Sequence, residues 1–167
     1  MPPDSPDTRV EPASYADLLT HLPRLEQVTF TGDPDQALGL DRRCCGRKKT
    51  WARKTWASLI ALEGYAQARA RGESTSGFWH YCRSGIAPIS HHQVSLQEST
   101  QVRQMWAEER LFPVPASVHP KGRVRMFAHI RIDNRPPAPR VYYLDRTAQG
   151  EGILVGYIGA HLTTTRT

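Results

Sequence analysis

Several kinds of residue and pattern are scarce in this chain, and each shortage excludes a class of protein. Three cysteines in 167 residues are too few for a disulfide framework. Cys44 and Cys45 are adjacent and Cys82 stands apart, so there is no Cys-x-x-Cys pair; His80-x-Cys82 and His91-His92 do not supply zinc spacing either. No metal site is expected, and Cys82 reads as a small buried thiol. No apolar run approaches the roughly 20 residues of a membrane span. The opening stretch, Met1-Pro2-Pro3-Asp4-Ser5-Pro6-Asp7, lacks the basic start and apolar centre of a signal peptide, so a reducing, cytoplasmic location is expected. Gly-x-x-x-x-Gly-Lys, Gly-x-Gly-x-x-Gly, Gly-x-Ser-x-Gly and His-Glu-x-x-His are all missing, and no cofactor is expected. Carboxylates clustered for two-metal hydrolysis are missing too; Glu108-Glu109 is the only adjacent acidic pair.

What is present is positive charge. The net charge is +6, carried by 18 arginines and 4 lysines against 16 acids. A basic balance favours polyanionic partners: nucleic acid first, an acidic protein second, a membrane surface third. Arginine's planar fork also suits phosphate, although its excess over lysine is equally what a GC-rich genome would produce. The densest cluster is Arg42, Arg43, Arg47, Lys48, Lys49, Arg53 and Lys54, with no acid after Asp41. Cations gathered at a helix start without interleaved acids would track a phosphate backbone and release counterions; the bland alternative is a solvated helix face.

Hydrophobic content of 39% and charged content of 23% indicate a globular chain. The length suits one domain over residues 14–162, between a disordered tail at 1–13 and a polar tail at 163–167. Ser14 caps a short helix with Asp17 in the capping-box position, and Leu25–Thr31 alternates as a short strand. Thr50–Arg71 is rich in helix formers, has no proline, and stops at Gly72. A second short helix is expected over Ser76–Cys82. A third is expected over Ser95–Glu109, with Ser95 as cap and Glu98 as its partner.

The final third reads as three strands, Arg123–Ile132, Arg140–Arg146 and Ile153–Leu162, separated by turn formers. Helices before a meander imply an α+β fold, with the N-terminal helical half packed on one face of a three- to four-stranded antiparallel sheet. In the first strand Val124, Met126, Ala128, Ile130 and Ile132 alternate with Arg123, Arg125, Phe127, His129 and Arg131. The open face would then carry Arg125, Phe127, His129 and Arg131: cations to hold phosphate and an aromatic to stack a base.

If the last strand is in register, His161 and Tyr157 join His129 and Arg125 on that face. This inventory would cleave RNA without metal. One imidazole takes the 2′-hydroxyl proton, another protonates the leaving oxygen, and a guanidinium stabilises the phosphorane. A one-residue slip would instead send Tyr157 and His161 into the core. The element order and the closing strand Gly152-Ile153-Leu154-Val155-Gly156-Tyr157-Ile158-Gly159-Ala160-His161 resemble the RelE/ParE-type toxin fold. In that fold a strand and two helices precede an antiparallel meander, and basic, His or Tyr residues near the last strands contact mRNA. The resemblance spans at most residues 25–162 and rests on element order; this chain is longer than those toxins. The expected activity is therefore nucleic-acid binding, with RNA or single strands favoured. The alternatives are a metal-independent endoribonuclease and a regulatory module that binds an acidic protein partner.

Overall fold

The computed structural model describes residues 10–43, 46–73 and 76–164. Cys44, Cys45, Ser74, Thr75, the first nine residues and the last three lie outside the described residues. Helix α1 (Tyr15–His21) starts where its cap dictates: the Ser14 side-chain oxygen accepts from the Asp17 N–H at 3.1 Å. Ahead of it, Val10 packs against the main core and Pro12 is buried. Strand β1 (Val28–Phe30) is followed by α2 (Pro34–Arg43), a helix not anticipated from the sequence. Its start carries Asp33, whose carboxylate accepts from the Asp35 N–H at 2.9 Å, and Pro34 in the first helical position.

Helix α3 (Lys48–Ala70) is the centre of the molecule. Buried residues occupy nearly every side of it, from Trp51 and Trp56 through Leu59, Leu62 and Tyr65, because α1, α4 (Phe78–Arg83), β1 and β7 (Ile153–Gly159) all pack around it. Strand β2 (Val94–Ser95), α5 (Thr100–Met105), β3 (Leu111–Pro113), β4 (Arg123–Arg125), β5 (His129–Arg131), β6 (Arg140–Asp145) and β7 (Ile153–Gly159) complete the chain.

The α+β expectation holds. The main sheet has five strands in the order β1-β7-β6-β5-β2; β1 runs parallel to β7 and the other pairs are antiparallel. Strands β3 and β4 form a separate two-stranded ribbon. Ile130, Val141, Tyr143, Val155 and Ile158 face the helices in the main core. On the opposite face Tyr142, Leu154 and Tyr157 meet Phe112 and Met126 in a smaller core under the ribbon. Gly156 permits that approach, since a Cβ there would lie 2.7 Å from both the Met126 sulfur and the Phe112 Cβ.

Two local expectations are corrected. The long first strand is broken into β4 and β5. Its alternation does not run through: Met126 turns into the ribbon core while Ile130 and Ile132 enter the helix-side core. The third helix starts after Ser99, whose side chain accepts from the Val102 N–H at 3.3 Å. Ser95 instead sits in β2 opposite His129, and Glu98 points inward.

Candidate functional site

The ladder aligns His129 on β5, Tyr142 on β6 and Tyr157 on β7 in one row, so all three share the face away from the helices. Arg131, Arg140 and Gly159 form the next row toward the strand ends. His161 lies two residues beyond Gly159. Its backbone N–H donates to the Pro137 carbonyl at 2.8 Å, which pins it to the loop at residues 132–139.

The row is sealed more than it is open. His129 is buried and stacks on Tyr142 with ring centroids 4.9 Å apart. A carbonyl can only accept, so the 3.0 Å contact from Nδ1 to the Phe127 oxygen places the neutral ring's proton on Nδ1. The Glu98 carboxylate accepts from Arg110 Nε at 3.1 Å and from the Tyr142 hydroxyl, and it lies 4.0 Å from the His129 Nδ1. Burial holds the His129 pKa below the ordinary imidazole value. Burial also pushes Tyr157 up to about 12, and its hydroxyl donates to the Ala160 carbonyl at 2.6 Å. Tyr157 is thus committed to the local fold.

The accessible chemistry lies at the strand ends. A cleft of about 610 Å³ is walled by Arg43, Asn134, Arg140, Ala160 and His161. It adjoins a cleft of about 390 Å³ along α2, with Arg42, Arg43 and Ala160 in its wall; the two share Arg43 and Ala160. On its other side Asn134 is shared with a cleft of about 620 Å³ containing Lys54, His92 and Arg131. The three are neighbours through these shared residues, and together they make a track whose walls carry Arg42, Arg43, Arg140, Arg131 and Lys54. Among the described residues none of these five has a carboxylate within ion-pair distance. The track holds two acids. Asp35 lies at its α2 end, while Asp133 accepts from Trp51 Nε1 at 2.9 Å and from the Arg135 N–H at 3.1 Å.

Arg140 is the best-positioned cation. Its Nη1 donates to the carbonyls of Asp133 at 2.7 Å, Ala138 at 3.1 Å and Pro139 at 3.0 Å. Nε and Nη2 make no hydrogen bond to the described residues, and the residue, 7% exposed overall, lines the cleft. Burial lowers its pKa, but an arginine remains charged. His161 is half-buried beside it. Burial first, then the charges of Arg140 and Arg110, hold its pKa below the usual value, so the imidazole is neutral at pH 7.

The sequence candidates divide accordingly. Arg43 lines the same cleft as His161, while Arg42, Lys54 and Arg131 line the clefts beside it. Arg47, Lys48 and Lys49 are exposed at the start of α3, and Arg53 is paired with Glu11 at 2.9 Å. Arg125 sits on the ribbon bonded to Glu108, away from the His129 row, and Phe127 is half-buried where the two strands separate. Arg140, Asn134, Glu98 and Arg110 were not foreseen. Arg140 opens a strand directly after Pro139, a position that reads as an ordinary strand end. Cys82 is buried, and burial raises its thiol to about 12. No three His, Cys, Asp or Glu side chains converge as a metal set among the described residues. No helix there is long and apolar enough to cross a membrane.

Comparison with protein-family models, with curated proteins and with solved structures finds no match. The functional reading therefore rests on the α+β fold and on the chemistry of its cationic track.

Proposed function

We propose that the protein binds nucleic acid, with RNA or other single strands favoured, by laying the phosphate backbone along the track from Arg42 to Lys54. The observation that carries this reading is Arg140: a guanidinium fixed by three backbone carbonyls, with its other edge uncommitted at the middle of the track. Such a fork is pre-organised for a phosphate oxygen pair and loses little side-chain freedom on binding. Arg43 on one side and Arg131 with Lys54 on the other extend the positive potential over successive phosphates. Fluorescence anisotropy with labelled RNA and DNA at two salt concentrations tests it. The expected result is affinity that falls steeply with salt, and binding no tighter than that of an unrelated protein of equal net charge would overturn it.

A second reading is supported by His161 standing beside Arg140 in the same cleft. A neutral imidazole would accept the 2′-hydroxyl proton as that oxygen attacks the adjacent phosphorus. The 5′-oxygen would leave with a proton from water, and Arg140 would stabilise the charge on the phosphorane. The product would be a 2′,3′-cyclic phosphate. Incubating labelled RNA with EDTA tests this reading: His161→Ala is expected to abolish cleavage and retain binding, and intact RNA with the wild-type chain would exclude it.

A further inference from the structure

Next to the Lys54 end of the track lies a fourth cleft, of about 410 Å³ and mostly apolar, on the outer side of α3. Trp56, Ala57, Ile60 and Pro88 give it apolar walls, and Thr50 belongs to its rim. It shares Lys54, Ala57 and Pro88 with the last cleft of the track, so a backbone held by Lys54 and Arg131 passes directly by its mouth.

From this juxtaposition we infer that the fourth cleft receives one unstacked nucleobase of a single-stranded nucleic acid whose phosphates lie on the track. The inference rests on the proposed binding function and adds to it the strand class. Three observations support a base as the occupant. The volume falls within the range of roughly 300–1,000 Å³ typical of small-molecule clefts. The apolar side opens from a cationic channel, the pairing that single-strand binders use to separate base from backbone. Trp56 belongs to the wall, so part of the lining is aromatic. A duplex cannot deliver a base into such a cleft without unpairing it.

The test compares a labelled single strand of eight nucleotides with an abasic strand of the same phosphate count, by anisotropy at one salt concentration. The base-bearing strand is expected to bind on the order of tenfold tighter, the scale of one base–aromatic contact. Thr50→Phe fills the cleft from an exposed position outside the track. It is expected to bring the base-bearing strand down to the abasic value and to leave abasic binding unchanged. Val10→Phe, at a half-buried position that lines this cleft and not the track, is the second filling variant, and circular dichroism confirms that each is folded. Equal affinities for the two strands, or filling variants that bind both like wild type, overturn the base cleft while the track stands. If neither strand binds, the track fails and the base cleft fails with it.

Discussion

The Glu98 carboxylate and the Arg110 guanidinium meet at 3.1 Å, and neither side chain is open to solvent. The pair ties the segment after β2 to the turn before β3, beneath the His129 row. Arg110 has no alternative charge partner of comparable burial, because Glu109, at 3.6 Å, is 40% exposed.

Removing one member therefore strands a buried charge. Glu98→Ala is expected to cost about 3–5 kcal/mol, because it also takes the acceptor from the Tyr142 hydroxyl. The double variant Glu98→Gln with Arg110→Met is expected to recover more than half of that loss. Urea unfolding of the three chains checks both statements, and a single variant as stable as wild type would contradict them.

Glu63 is a second inward carboxylate, with a different task. From the middle of α3 it accepts the backbone N–H groups of Glu26 at 2.8 Å, Gln27 at 2.8 Å and Val28 at 2.9 Å, satisfying the start of β1 where no neighbouring strand does. Glu63→Ala is expected to cost on the order of 3 kcal/mol. It should also accelerate amide exchange at Gln27 and Val28 ahead of global unfolding. Glu63→Gln, which keeps one acceptor oxygen, should be milder in both measurements.

His129 makes stability depend on pH. Burial lowers its folded pKa, while the unfolded chain titrates near 6.5. Below that value the unfolded state takes up the proton first, so stability falls as pH drops from about 6.5 toward the folded pKa and is flat above it. His161, shifted the same way, adds to the slope. Unfolding free energies measured between pH 7.5 and 5 should show the decline, and His129→Phe should reduce it. An unchanged slope in that variant would show that His129 does not contribute.

On the track, each cation removed is expected to weaken binding and lessen the salt dependence. Arg43→Ala and Lys54→Ala should each lower the slope of log affinity against log salt by about 0.7–0.9. Arg125→Ala, on the ribbon and paired with Glu108, should leave slope and affinity within error. A titration series from low to moderate salt decides. If Arg125 proves equivalent to Arg43, the binding surface is the ribbon side and not the track.

Elements governed by local chemistry were legible in the sequence. Ser14 and its Asp17 partner set the start of α1. The unbroken helix formers before Gly72 gave α3 to within two residues, and the runs from Arg140 and Ile153 gave β6 and β7. Three features depended on tertiary pairing and were not legible. The alternation from Val124 to Ile132 is perfect on paper, yet the ladder partner changes from β3 to β6 midway, so Met126 and Ile130 enter different cores. Ser95 and Glu98 match a capping box, but Ser95 pairs with His129 and the Glu98 charge is claimed by Arg110. The register that places Tyr157 beside Tyr142 follows from the bulge between Tyr142 and Tyr143, which composition does not announce. For the site, the Arg42–Lys54 cluster was visible. The meeting of Arg43 with Arg140 and His161 was not, since residues so distant in sequence are joined by the packing of α2 on β7.

Arg140 grips three carbonyls of the segment between β5 and β6 with a single nitrogen. Whatever takes hold of the other edge of that guanidinium is therefore fastened to a whole hairpin connection. A load on that edge would fall on Asp133, Ala138 and Pro139 together, because one nitrogen holds all three.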